Sequence, residues 1–223
     1  MREYLEFGDP KSDLLLLQPV DSADLSGMER EIGRVRELTK VPFGLLAIPV
    51  QNWNDDLSPW EAPAVFGDRG FGGGARDTLE GILEICDGLQ GEGKRQFVLG
   101  GYSLAGLFAL WAGCHTGRFR GIAAASPSVW FPGFPDHLRE HGINCDAAYL
   151  SLGDREEKTK HPVMSRVGAC IRETEEILLE QGIPCTLEWN PGNHFRDADL
   201  RTAAAFAWVL EHLRDPMVIS SEI

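Results

Sequence analysis

The chain has 223 residues, of which 43% are hydrophobic and 25% are charged, and its formal net charge is −13. This composition is typical of a globular protein long enough to bury a sizeable core without a disulfide or a metal. The acidic balance argues against nucleic acid and against an anionic membrane surface as partners, because both require a basic footprint.

The length predicts one domain over residues 1–223. The start of the chain is charged and is broken by Gly8 and Pro10, which is unlike a signal peptide, and no apolar run approaches the ~20 residues of a membrane span. The odd number of cysteines, with no metal-like spacing, predicts buried, reduced thiols at Cys86, Cys114, Cys145, Cys170 and Cys185. We therefore expect a cytoplasmic protein without a metal or another cofactor.

Apolar runs and helical periodicities alternate along the chain. The short apolar runs at 13–17 and 44–50 predict buried strands. Further strands are predicted at 96–100, 121–125, 147–152 and 184–189. Amphipathic or wholly apolar spacing predicts helices at 25–39, 76–89, 104–113, 163–181 and 198–213. Ser26 and Glu29 fit a capping box for the first helix, and 51–74 is predicted to be a loop. The alternation predicts an α/β fold with a mostly parallel central sheet and helices on both faces.

Sites in such sheets form beyond the carboxyl ends of the strands. Ser103 lies between the strand 96–100 and the helix 104–113, which is the context of a nucleophile elbow. Small residues, Gly101 and Ala105, flank the sharp turn, although Ala105 departs from the usual glycine. The alternative is a plain turn in which Ser103 caps the helix.

A histidine follows the last predicted strand in the segment Pro191-Gly192-Asn193-His194-Phe195. An imidazole can accept the proton of a nucleophilic serine near neutral pH. His194 is the only histidine in a glycine-containing loop directly after a predicted strand, although a lone loop histidine is more often structural. We interpret it as the general base, because the order serine, acid, histidine is that of α/β-hydrolases.

The candidate acids follow the strand 147–152 and are Asp154, Glu156 and Glu157. A carboxylate at this place would orient the imidazole and stabilise the imidazolium. Its position three residues after the glycine that ends the strand favours Glu156, and Asp154 is the nearest alternative. The segment could instead be a solvated turn that begins the next helix.

The oxyanion hole needs two backbone amides, and that of Leu104 is expected to be one. The second is expected in the loop after the first core strand, where Pro19 has no N–H, which leaves Val20 or Asp21. Trp53 and Trp130 follow core strands and are expected to line the substrate pocket, with packing in the core as the alternative.

The segment 70–75 fits the dinucleotide fingerprint G-x-G-x-x-A. No strand directly precedes it, so we interpret it as a flexible loop before a helix.

Four segments together resemble the esterase D-like esterases of the α/β-hydrolase superfamily, which are related to siderophore (enterobactin) esterases. They are GYSLAG at 101–106, SPSVWF at 126–131, LGDREEK at 152–158 and NPGNHF at 190–195. The resemblance extends over about 14–213 and implies the α/β-hydrolase fold, with Ser103 as nucleophile, His194 as base and Glu156 as acid. Only about twenty residues separate the strands 121–125 and 147–152, so no large cap domain and an open pocket are expected.

The leading functional prediction is a serine esterase that cleaves small or short-chain acyl esters through an acyl-enzyme. Its partner would be a small-molecule ester, and a homodimer is left open. Acyl transfer or thioester cleavage on the same site is one alternative. A hydrolase fold kept as an inactive binding module is another, because fold does not dictate function.

Overall fold

The structure is a computed structural model that describes residues 3–9, 11–90 and 95–213. These residues form nine strands and seven helices. The strands are β1 (Leu5–Gly8), β2 (Leu14–Val20), β3 (Gly44–Pro49), β4 (Glu61–Ala62), β5 (Phe71–Gly72), β6 (Gln96–Tyr102), β7 (Phe119–Ala125), β8 (Ala147–Gly153) and β9 (Cys185–Asn190). The helices are α1 (Ser22–Leu38), α2 (Trp53–Asp56), α3 (Ala75–Leu89), α4 (Leu104–His115), α5 (Phe134–His141), α6 (Val167–Glu180) and α7 (Ala198–His212).

Seven strands form one central sheet in the order β1-β3-β2-β6-β7-β8-β9. All neighbours in it run parallel except β1, which pairs antiparallel with β3 at one edge. The strand order reverses between β2 and β6, so their carboxyl ends border the place where a site is expected in a sheet of this kind. The predicted mostly parallel sheet is confirmed.

Helices cover both faces of the sheet, because the apolar strands have to be buried on both sides. On one face α3, α4, α5 and α6 pack against the larger apolar cluster, which contains Leu99, Phe108 and Leu150. On the other face α1 and α7 pack against a second cluster, which contains Val98 and Phe206. α4 is apolar nearly all round and is almost wholly buried, as its sequence predicts.

Several predicted boundaries differ from the structure. Residues 18–20 were expected to be a loop but belong to β2, whose pairing with β3 continues to Val20. The first helix begins at Ser22 and its cap is Asp21, so the predicted cap at Ser26 is wrong. Asp21 accepts from two amides of the first turn, whereas the Ser26 hydroxyl donates to the Ala23 carbonyl inside the helix.

Some elements were missed altogether. The strand β1 and the helix α5 were not predicted, and the expected loop 51–74 contains α2 and the two-stranded β4–β5 pair. The segment 70–75 therefore includes β5 and is not wholly a loop, but no parallel strand leads into it, in keeping with the rejection of a dinucleotide site. The predicted helix 163–181 begins at Val167 after a short 3₁₀ turn.

The five cysteines are all in the described residues and form no disulfide. Cys86 is buried and the other four are partly exposed, so their burial is less complete than predicted. Among the residues with described structure, no helix has the length and apolar character needed to cross a membrane.

Candidate active site

Ser103 occupies a sharp turn between β6 and α4, with φ 57° and ψ −117°. A positive φ is strained for a residue with a side chain, and such strain is concentrated at functional sites. A Cβ atom on Gly101 would lie 2.6 Å from the Ala105 Cβ, so the turn tolerates Ala105 only because residue 101 is a glycine. The Ser103 side chain makes no capping hydrogen bond to α4, unlike an ordinary N-cap serine.

The His194 ring lies beside the Ser103 hydroxyl. Its Nε2 is 3.0 Å from the Ser103 Oγ, and its Nδ1 is 2.7 Å from the Glu156 Oε2. The three side chains come from the ends of β6, β8 and β9, which converge at one edge of the sheet. With Nδ1–H donating to the carboxylate, the unprotonated Nε2 faces the hydroxyl, as proton abstraction from the serine requires.

The carboxylate of Glu156 is buried, with 1% of its side chain exposed, yet it has several donors. Its Oε1 accepts from the Gly153 amide at 2.7 Å and from the Ser126 hydroxyl at 2.9 Å. Burial by itself would raise the pKa of Glu156, but the hydrogen bond and positive charge of His194 and these donors bring the pKa below its usual value. The side chain is therefore ionised at neutral pH.

The other two candidate acids face away from the imidazole. Asp154 accepts the Gly192 amide at 2.7 Å, and that hydrogen bond lowers its pKa. Glu157 forms an ion pair of 3.3 Å with Arg172. The structure thus brings Glu156, and neither alternative, into contact with His194.

Arg201 on α7 is a member of the site that the sequence analysis did not single out. It is 4% exposed, and its Nη1 lies 3.2 Å from the Glu156 Oε1. Its Nη2 donates to the carbonyls of Pro191 at 3.2 Å and Asn193 at 3.1 Å, both in the loop that carries His194. One guanidinium therefore ties the acid to the histidine loop, as the fixed fork of arginine allows.

Tyr102 completes this buried network. Its hydroxyl donates to the His194 carbonyl at 2.8 Å and accepts from Arg201 at 3.1 Å. Ser126 adopts a positive φ of 40° at the end of β7, and its hydroxyl lies 3.3 Å from Arg201. Tyr102 ends β6 and Ser126 directly follows β7. This place at the end of a core strand is the sequence signal that could have identified both residues.

The amide of Leu104 is the first N–H of α4, where helix amides lack intrahelical partners and the dipole favours negative charge. Leu104 lines the cavity beside Ser103, as an oxyanion donor must. The geometry does not favour the amide of Val20 or of Asp21 as the second oxyanion donor. Val20 pairs with Pro49 in the β2–β3 ladder, which directs its amide into the sheet, and the Asp21 amide donates to the Asp24 carboxylate at 3.2 Å.

The Ser128 hydroxyl lies 3.3 Å from the Ser103 Oγ, and the Ser128 amide donates to the Ser103 carbonyl at 3.0 Å. Ser128 was not selected from the sequence, where nothing beyond its place after β7 distinguishes it. It is a second hydroxyl within reach of any group that reacts at Ser103.

Two cavities meet at Ser103. The smaller, of about 150 Å³, is lined by Trp53, Trp130 and other residues. The larger, of about 480 Å³, is lined by Trp130, His194 and other residues. The structure thus places both predicted tryptophans at the pocket. A larger groove of about 980 Å³ lies between α1 and α7, away from Ser103. Within the described chain, no group of three or more His, Cys, Asp or Glu side chains is arranged to hold a metal ion.

Comparisons with known proteins agree with this architecture. An IroE-like serine hydrolase from Shewanella oneidensis superposes with a TM-score of 0.77 at 14% identity, over 94% of this chain and 76% of that protein. The siderophore hydrolase EstA from Aspergillus nidulans superposes with a TM-score of 0.61 at 20% identity, over 90% of this chain and 83% of EstA. Esterase PE8 gives a TM-score of 0.62 at 19% identity, over 93% of this chain and 99% of PE8.

No family model matches the sequence, and no curated protein sequence matches it significantly. At identities this low, the structural likeness establishes the fold. The chain therefore has the α/β-hydrolase fold, as the sequence predicted. In the described residues, α5 is the one helix between β7 and β8, which leaves no room there for a large cap domain. The structures that share it include a siderophore hydrolase, the group that the sequence motifs resemble.

Proposed function

We propose that the protein is a serine hydrolase that cleaves carboxylic esters with short acyl groups. The observation that carries this proposal is the hydrogen-bonded chain from Ser103 through His194 to the buried Glu156, opening onto two cavities. The esterases and serine hydrolases among the structural neighbours support the same class of reaction.

In the first step, the Ser103 Oγ attacks the ester carbonyl carbon while the His194 Nε2 takes the hydroxyl proton. The carbonyl electron pair moves onto oxygen, and the resulting oxyanion faces the Leu104 amide, with the Ser128 hydroxyl as the candidate second donor. Glu156 stays ionised and stabilises the imidazolium that forms.

The tetrahedral intermediate then collapses. The bond to the alcohol oxygen breaks, this oxygen takes the proton from the His194 Nε2, and the acyl group stays on the Ser103 Oγ. In the second half, His194 deprotonates a water that attacks the acyl carbon, and the Ser103 oxygen leaves and regains its proton. The net reaction consumes one ester and one water and yields one acid and one alcohol.

The first prediction is that Ser103→Ala abolishes turnover of 4-nitrophenyl esters in a panel from acetate to octanoate. The expected loss in kcat is at least about 10³-fold, because the nucleophile is removed while binding is retained. Labelling of the protein by a fluorophosphonate should disappear in the same variant.

Ser26→Ala, an exposed serine on α1, is the matched control and should behave like the wild type. A wild-type protein that neither turns over any of these esters nor reacts with the fluorophosphonate would favour an inactive binding module. Formation of a new ester in the presence of a competing alcohol, at the expense of the free acid, would favour acyl transfer.

A further inference from the structure

The two cavities beside Ser103 are not equivalent. Both are lined by Ser103, Ser128 and Trp130, so they meet at the reacting hydroxyl. Leu104 lines only the smaller one and His194 lines only the larger one. The proposed oxyanion donor and the proposed proton donor are thus on different sides of the nucleophile.

This asymmetry assigns the two halves of an ester to the two cavities. The argument rests on the proposed function, in which His194 has to hand its proton to the leaving oxygen. The leaving group must therefore extend past His194 into the larger cavity. The carbonyl oxygen points to the Leu104 amide, which leaves the smaller cavity for the acyl chain.

The smaller cavity limits the acyl chain. Its volume of about 150 Å³ equals the space of roughly five water molecules, at about 30 Å³ each. Trp53 and Phe71 contribute rigid aromatic walls to it. An acyl chain of about five heavy atoms fills this space.

The larger cavity, of about 480 Å³, has a positive rim. Arg155 and Lys158 line it, and both are exposed. Neither side chain forms an ion pair with another described residue. The pKa of Asp154, the nearby acid, is lowered by its hydrogen bond from the Gly192 amide and also by the charges of Lys158 and Arg155, so it offsets the rim charge in part. Glu156 also lines this cavity, but its carboxylate already binds His194 and Arg201.

The backbone that carries the two cations is fixed relative to His194. The Arg155 amide donates to the Gly192 carbonyl at 3.1 Å, and the Asp154 amide donates to the Asn190 carbonyl at 2.8 Å. The Lys158 amide donates to the Arg155 carbonyl at 3.2 Å. The loop after β8 and the histidine loop after β9 therefore form one interlocked unit, which holds the backbone of both cations beside the leaving-group path.

Apolar side chains line the space between the cations and the nucleophile. Phe195 is 90% exposed and Phe66 is 57% exposed, and both line the larger cavity together with Met164. Phe66 contacts Trp130 edge-on and Phe195 contacts His194 edge-on, so both rings add apolar surface next to the site. The cavity therefore suits a group that has an apolar body and an anionic end.

We propose that the physiological leaving group is an alcohol or phenol with an apolar body and a carboxylate, and that Arg155 and Lys158 bind this carboxylate. In a chain of net charge −13, the two cations give the approach to Ser103 a local sign opposite to that of the whole molecule. The protein thus prefers anionic esters of short acids to neutral ones of the same size.

Three chromogenic probes test the proposal. They are 4-nitrophenyl butyrate, its analogue with a 3-carboxylate on the ring, and the methyl ester of that carboxylate, which is neutral but equally bulky. The wild type should hydrolyse the carboxylate probe with a kcat/KM about fivefold to tenfold above that of the methyl ester, mostly through a lower KM. This preference should shrink as NaCl is raised, because the rim charges are exposed to solvent.

Arg155→Gln and Lys158→Gln should each reduce the preference about threefold, and the double variant should abolish it. None of them should change kcat/KM for the two neutral probes by more than about twofold. Lys160→Gln is the matched control, since Lys160 is exposed two residues away but does not line the cavity. It should keep the full preference.

Equal hydrolysis of the carboxylate and methyl ester probes by the wild type would overturn this inference while leaving the esterase proposal intact. An equal loss in Lys160→Gln would overturn it too, because the effect would then come from overall charge. Hydrolysis of none of the three probes would overturn the esterase proposal and this inference with it.

Discussion

The guanidinium of Arg201 contacts both the candidate acid and the loop of the candidate base. An ion pair buried to this degree contributes little net stability compared with apolar packing, but breaking it by removing one partner is costly. We therefore regard Arg201 as a positioning residue for the His194–Glu156 pair.

We expect Arg201→Met to lower kcat by about 10- to 100-fold with a smaller change in KM. Loss of a positive charge beside Glu156 raises the pKa of this carboxyl, so the acid limb of the kcat/KM profile should move to higher pH. Arg201→Lys should restore the position of that limb in part, because it keeps the charge but not the fork.

Arg196→Met, which removes an exposed arginine from the loop that carries His194, is the control and should leave the pH profile unchanged. A purely structural role for Arg201 would appear as a lower melting temperature with an unshifted profile and an unchanged kcat for the folded fraction.

At this scale the sequence predicted the positions of Ser103 and His194, because each follows a predicted strand and the ends of parallel strands meet. It ranked the acids but could not decide among them, because the turn after β8 determines which carboxylate faces the imidazole. The sequence analysis missed Arg201 because a lone arginine in a largely apolar helix belongs to no motif. Its position among the buried residues of α7 is the signal that could have identified it.

At the scale of elements, the start of α1 shows how closely a strand and a helix are joined. The Asp21 carboxylate accepts from the amides of Ala23 at 2.7 Å and Asp24 at 2.9 Å, directly after β2 ends at Val20. The Asp24 carboxylate accepts the Asp21 amide in return, which makes a reciprocal capping box.

We predict that Asp21→Ala lowers the free energy of unfolding by about 1 kcal/mol, because two amides of α1 lose their acceptor. Asp21→Asn keeps an acceptor oxygen and should stay within a few tenths of a kcal/mol of the wild type. Urea unfolding of the three proteins measures both effects. Equal stability of Asp21→Ala and Asp21→Asn would contradict the capping role.

Each element or boundary that the sequence analysis missed has its own physical reason. Pro19 lies outside the predicted strand 13–17 but inside β2. β2 pairs with β6 only as far as Leu17, so the missing N–H of Pro19 faces the side where pairing has stopped. β1 lies at an edge with mixed exposure and gives no buried apolar run. α5 begins directly after Gly133, with a proline near its start, a pattern that resembles a turn.

At the scale of the whole molecule, Glu31 makes the stability of the fold depend on pH. It belongs to α1, lies against the sheet and is 3% exposed. Burial raises its pKa to about 8, and a 3.4 Å hydrogen bond from Gln18 offsets this only in part. The folded protein therefore binds a proton at Glu31 more tightly than the unfolded chain does. Stability associated with Glu31 is complete below its ordinary pKa of 4.5 and is lost as the pH rises towards 8.

We predict that Glu31→Gln stabilises the protein at alkaline pH and has little effect at pH 4.5. The gain should approach about 4 kcal/mol at pH 8, from about 1.4 kcal/mol for each pH unit of difference between the folded and unfolded pKa values. Urea titrations at several pH values measure it. Glu29→Gln, at an exposed position of the same helix, should show no such rise, and a pH-independent gain in Glu31→Gln would contradict the prediction.

The hydrogen bonds from Arg201 on α7 to Glu156 and to the histidine loop also determine when the candidate site can assemble during biosynthesis. The strained serine turn belongs to the middle of the chain, whereas its base, the edge strand β9 and the arginine that holds them all belong to the last quarter. A ribosome that has released only the first half of the protein has exposed the residues of the elbow, but neither the imidazole nor Ala125 and Ser128, which hydrogen-bond the Ser103 backbone. The candidate site is thus assembled late in translation, when the segment through α7 has emerged and docked on the sheet.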